Sequence, residues 1–147
     1  MLPGVRVAIA QAVDYTPKLV RQQIRDILDR LGGLGDVVKP GDKVAIKINL
    51  TGGTKVKPLP GVSAIESYVT HPEAVHALGE LVRDAGAKEV YIVEAVYEWD
   101  SYKLWGYEEI AKPLGATLID LNNTHPYRDF ASTPVEKGGF IYPQFTF

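Results

Sequence analysis

KVAIKI (43–48), NLTGGTKVKPLPGVSAIESYVT (49–70), HPEAVHALGELVRDAGA (71–87) and KEVYIVEA (88–95) read in order as strand, long loop, helix and strand. Val44, Ile46 and Ile48 share one face of the first strand, Ala45 and Lys47 the other. A strand apolar on both faces is expected in the covered middle of a parallel sheet, with Lys47 as its exception. Thr70-x-x-Glu73 has the form of a capping box and Pro72 sits in the first helical turn. Ala74, Val75, Leu78, Leu81, Val82 and Ala85 then recur at helical spacing, and Gly86 is placed to end the helix. A helix between two strands in this way implies a parallel crossover.

Working outward, Val5, Val7 and Ile9 alternate with Arg6, Ala8 and Ala10, which predicts a first strand. Thr16-Pro17 opens a helix carrying Val20, Ile24, Ile27, Leu28 and Leu31 at helical spacing, and Gly32-Gly33 ends it. Pro40-Gly41-Asp42 is a turn. Downstream, Asp100 or Ser101 caps a third helix running to about Lys112, where Pro113 stops it. Gly115 to Leu121 is the last strand. The expected fold is therefore α/β, a three-layer sandwich with a mainly parallel sheet of about four strands and helices on both faces. Residues 1–123 form that domain. Residues 124–147 are turn-rich and close on FIYPQFTF, whose central proline suits an edge strand or an oligomerisation arm.

With 147 residues the chain can bury the core of one ordinary domain. The formal net charge is −2 and no basic stripe is visible, which argues against a nucleic-acid partner. There is no cysteine, so this chain offers no disulfide, no thiolate nucleophile and no iron–sulfur cluster ligands. The apolar run VRVAIA is too short for a membrane span and carries no cleavage pattern, so a cytoplasmic protein without a membrane partner is expected.

The candidate site lies where open α/β sheets bind ligands, at the carboxyl ends of the strands and the helix N-terminus facing them. Lys47 offers a fixed charge for a carboxylate or phosphate, or a lysine of lowered pKa; a salt bridge to Glu94 is the structural alternative. Asn49, just past the strand, either contacts a ligand or closes an Asx-turn. Thr70 and Glu73 either complete an anion site or simply cap the helix. His71 is a candidate acid or base, and Glu94 a candidate base, metal ligand or partner of Lys47. Asp120 ends the next strand; if the strands are neighbours, it and Glu94 form a carboxylate pair. His71 and His76 are five apart, which does not place two metal ligands on one helical face. His125 lies in a loop without a fixed place. Gly52-Gly53 lies in a basic loop but matches neither phosphate-binding glycine pattern. Tyr97, Trp99, Tyr102, Trp105 and Tyr107 serve a pocket, a subunit interface or the core.

PGDKVAIKINL (40–50), THPEAVHALGELVRDAGAKEVYIVEA (70–95) and GYEEIAKPLGATLIDLNN (106–123) together resemble the N-terminal half of the family called domain of unknown function 362. The resemblance implies the α/β fold but no established general activity, cofactor or metal. Some members of that family carry an appended iron–sulfur module, which this chain lacks the cysteines to hold. Members are about twice as long, so the resemblance implies either a fragment or a shortened form whose missing half is replaced by a partner or by self-association. Two functions follow: a site for a small anionic molecule, enzymatic or not, and a noncatalytic assembly module using the aromatic segment and tail as a homo-oligomer.

Overall fold

The computed structural model describes residues 5–122. The elements are α1 (Pro17–Leu31), β1 (Lys43–Lys47), a 3₁₀ turn (Gly53–Lys55), α2 (Ala64–Ser67), α3 (Pro72–Asp84), β2 (Glu89–Glu94), α4 (Asp100–Leu104), α5 (Tyr107–Leu114) and β3 (Ala116–Asp120). The three strands pair in parallel in the order β1-β2-β3, so each connection crosses over through helix. In register, Val44, Val90 and Ala116 lie side by side, as do Ile46, Ile92 and Leu118. Being two apart along each strand, both rows face the same way.

That face carries the core. Val44, Ile46, Ile48, Val90, Ile92, Ala116 and Leu118 join Val75, Leu78 and Val82 of α3, Tyr102 of α4, Trp105, and Tyr107 and Ala111 of α5 in one cluster. On the opposite face Ala45 and Thr117 are exposed, whereas Val93 and Ile119, two positions further along their strands than Tyr91 and Thr117, are buried. Helices α3, α4 and α5 pack in this cluster, and the second helical layer of the three-layer sandwich stays an expectation. Parallel α1 and α3 pack together through Arg21, whose guanidinium bonds Glu80 (2.9 Å) and Asp84 (2.7 Å).

Among the described residues the sheet has three strands where about four were expected. Val5–Ala10 is not in the sheet, and Val5, Val7 and Ile9 are exposed. Arg6 Nη2 bonds Leu31 O (3.0 Å), which draws this segment to the C-terminal end of α1 instead. The third helix is two: α4 ends at Leu104 with Trp105 as its cap, and Gly106, at φ +77°, turns the chain before α5 starts. Pro113 does not stop α5 but lies in its last turn, and the helix closes at Gly115 with φ +58°. The tail 124–147 and His125 fall outside the described residues.

Gly86, expected as the C-terminal cap of α3, stands one residue past it: Ala85 is the cap and Gly86 takes φ +105°. Its amide donates to Arg83 O (2.9 Å), and its carbonyl accepts from Gly41 N (2.8 Å). A Cβ there would stand 3.0 Å from the Pro40 Cα, a backbone atom that cannot give way. Gly86→Ala is expected to lower stability by about 1–3 kcal/mol, from left-handed strain plus overpacking, with a lower urea midpoint at unchanged m.

Candidate functional site

A cleft of about 370 Å³ opens at the carboxyl ends of the three strands. Asn49, Leu50 and Thr51 come to it from the end of β1, Glu94, Ala95 and Tyr97 from the end of β2, and Asn122 from beyond β3. Glu94 forms its floor and is 8% exposed. Its Oε2 accepts from Lys47 Nζ (2.7 Å) and from Leu50 N (3.3 Å), and its Oε1 accepts from Ala95 N (2.8 Å). A buried carboxylate is tolerated because ion pair and amides replace its water.

Among the described residues Lys47 does not lie in a central strand. β1 is an edge of the described sheet, and the Lys47 side chain, 57% exposed, curls over the strand end to donate to Glu94 and to Ile48 O. Of the two readings of Lys47, the salt bridge to Glu94 is the contact made. Asn49 likewise closes an Asx-turn, its Oδ1 accepting from Thr51 N (2.9 Å). Its side-chain Nδ2, the Thr51 hydroxyl and the Tyr97 hydroxyl have no partner among the described residues.

Thr70 does not cap α3. Its Oγ1 accepts from Asn49 N (3.0 Å), its amide donates to Asn49 O (2.9 Å), and its carbonyl accepts from the buried Tyr107 hydroxyl (2.6 Å). The cap is His71, whose Nδ1 accepts from Glu73 N (3.1 Å). Glu73 turns to His76 (3.4 Å). A complete capping box does exist one helix earlier, where Ser63 and Glu66 exchange bonds to open α2. Its S-x-x-E signature stands in the loop 49–70.

His71 also stacks on Tyr15, ring centroids 3.4 Å apart and planes within 6°. It therefore ties the start of α1 to the start of α3 and is not among the residues lining the cleft. Burial lowers its pKa from the ordinary 6.5, with Glu73 and Glu66 pulling weakly the other way. The cap requires an unprotonated Nδ1, so folding favours the neutral ring. Since the folded pKa lies below the unfolded one, this stabilisation is complete above pH 6.5 and is lost as pH falls below it. Urea unfolding between pH 7.5 and 5 is expected to show that loss. In His71→Asn, which caps without titrating, this component should vanish.

The strands of Glu94 and Asp120 are neighbours and the two residues are register partners. Asp120 Oδ1, however, accepts from Asn122 N (2.9 Å), and Glu94 is fully engaged. Among the described residues no three His, Cys, Asp or Glu side chains gather as a metal site would require. Of the aromatic run, Tyr102, Trp105 and Tyr107 are core, while Tyr97 and Trp99 are exposed.

Thus Asn49 and Glu94 line the cleft, Lys47 reaches it through Glu94, and Thr70 braces it from behind. His71 and Glu73 belong to the start of α3. Tyr97, one of the aromatics expected in a pocket, an interface or the core, lines the cleft, and so do Asn122 and Thr51, which the sequence reading did not single out as site residues. Their only signal was position after a strand end, which Asn122 shares with Asn49.

The family model Domain of unknown function (DUF362) matches residues 44–145. The chain belongs to this DUF362 family. It is also similar to the thylakoid-associated protein sll1697 of Synechocystis sp. (strain ATCC 27184 / PCC 6803 / Kazusa), with 38% identity over 82 residues. That match covers 56% of this chain and 23% of the relative, so the chain spans about a quarter of the relative's length. No solved structure matches. Among the described residues of this DUF362 chain, no helix is long and apolar enough to cross a membrane.

Proposed function

We propose that the DUF362 cleft binds a small polar molecule carrying an anionic group. The observation that carries this reading is the pair at the strand ends: an ammonium more than half exposed beside a cleft-lining carboxylate that is almost wholly buried. Glu94 takes the Leu50 and Ala95 amides and part of the Lys47 charge, so it neutralises the strand ends when no ligand is bound. Lys47 has three donor hydrogens and spends two, and Asn49 Nδ2 and the Thr51 hydroxyl add neutral donors beside it. An incoming carboxylate or phosphate would share Lys47 with Glu94. In this reading Glu94 holds the site's charge balance; a proton-transfer role for it, or for His71 outside the cleft lining, gains no support from their contacts.

Calorimetric titration with inorganic phosphate and with oxalate tests it. The native chain and Lys47→Arg are expected to bind one of the two, and Lys47→Met at least tenfold more weakly while still unfolding cooperatively in urea. Equal affinity in a folded Lys47→Met would remove the assignment.

A second reading, assembly, draws on the exposed Val5, Val7, Ile9 and Val13 and on exposed Tyr97 and Trp99. Cytoplasmic residence is an expectation from composition, which a relative described as thylakoid-associated does not confirm. A monomer by analytical ultracentrifugation across the micromolar range would count against assembly.

A further inference from the structure

The loop between β1 and α3 is tied at its base by the paired hydrogen bonds of Asn49 and Thr70. A loop whose ends are this close can move as a unit unless its body is fastened. Beyond Leu50, its hydrogen bonds to the segment after β2 run through Thr54. Glu98 Oε1 accepts from Thr54 N (2.6 Å) and also from the Thr54 hydroxyl. These bonds hold the Glu98 carboxyl below the usual carboxylate range, so the acceptor is charged and the tie is of the stronger kind. Gly52 and Gly53, at φ +85° and +58°, make the turn that brings Thr54 there. A Cβ on Gly53 would lie 2.8 Å from Glu98 Oε1 and 3.2 Å from Tyr97 Cβ, so the Gly53 backbone is seated directly on both residues. Tyr97 and Thr51, on either side of this contact, are walls of the cleft.

We propose that Glu98 is a positioning residue for the cleft: by fastening Thr54 it seats Gly53 on Tyr97 and so fixes the Thr51–Tyr97 wall. Its consequence for ligand affinity rests on the reading of the cleft as an anion site; its consequence for the wall does not. Glu98 does not line the cleft, so its effect on a ligand passes through Tyr97 and Thr51.

Amide exchange and side-chain NMR on the full chain test this without any ligand. In Glu98→Ala the Thr54 amide is expected to exchange at least tenfold faster and the Tyr97 ring resonances to shift, while the β2 amides of Val90–Val93 keep their rates. Glu98→Gln, whose amide oxygen still accepts, should fall between. Thr54→Val, which removes only the hydroxyl donor, should move the same signals less. Unchanged exchange at Thr54, an unmoved Tyr97 ring, or a rise shared equally by β2 would overturn the proposal. Titration with inorganic phosphate then separates the two readings. Absence of phosphate binding by the native chain would remove the ligand reading, with the Tyr97 shift still deciding for or against Glu98. Binding by the native chain with an affinity unchanged in Glu98→Ala would overturn the positioning role.

Discussion

Glu94→Ala is expected to lower the free energy of unfolding by about 2–4 kcal/mol, somewhat below the loss for removing one partner of a fully buried pair, because water can reach Lys47. The substitution strands the Leu50 and Ala95 amides and the Lys47 ammonium together. Leu50 is itself 1% exposed, so its amide has little access to water, and losing its acceptor carries the desolvation penalty of an unmade hydrogen bond. Glu94→Gln should lose about half as much, since one amide oxygen still accepts while the NH₂ group meets donors. Lys47→Met gives the complementary loss. If the pair acts as a unit, the double substitution will lose less than the sum of the singles. Chemical denaturation of the four proteins measures this. Additive single losses would mean that the two side chains do not depend on each other.

Arg83→Met is expected to cost about 2–4 kcal/mol as well, by a different route. The Arg83 guanidinium donates to four carbonyls: Nε to Leu114 O (3.0 Å), Nη2 to Gly115 O (2.8 Å), and Nη1 to Lys88 O (2.7 Å) and Ala87 O (3.3 Å). One side chain thus joins the end of α3, the start of β2 and the turn from α5 into β3. Methionine keeps most of the apolar stem and removes every donor, leaving the carbonyls at two element ends without their cation. Lysine, a point charge without the planar fork, should recover less than half of the loss. A thermal melt within 2 °C of the native chain would contradict this assignment, since a loss of this size shifts the midpoint of a domain this long by about 5 °C or more.

β1, α3, β2 and β3 were legible because each is fixed by its own periodicity and bounded by strong turn residues. The parallel order followed from the helices between them. What failed was the step from period to partner. Val5–Ala10 alternates as cleanly as KVAIK, but alternation records only an apolar repeat, and a strand exists only where another backbone takes its N–H and C=O groups. The same gap misplaced Lys47. Apolar residues on both faces suggested a central strand, yet Ala45 is small enough to stand exposed at an edge.

Thr70 shows a competition that local rules cannot decide. Thr70-x-x-Glu73 satisfies the capping-box pattern, but His71 can cap with Nδ1 when the helix starts one residue later. Thr70 is then free to bond Asn49, 21 residues back, and closing the loop base decides between the two. Likewise the cleft was locatable from strand ends alone, whereas the Glu94–Leu50 and Glu98–Thr54 bonds each span 44 residues. The alternative of a Lys47–Glu94 salt bridge was readable because both residues sit at ends of strands joined by one crossover. Its partners among the backbone amides were not.

The most direct measurement is a ¹H–¹⁵N correlation spectrum of the native chain titrated with inorganic phosphate and, separately, with oxalate. A binding cleft at the strand ends should confine the shifts to Asn49, Leu50, Thr51, Ala95 and Asn122, including the side-chain amides of the two asparagines. Shifts centred instead on Glu73 and His76 in the first turns of α3, or none with either anion at millimolar concentration, would contradict it.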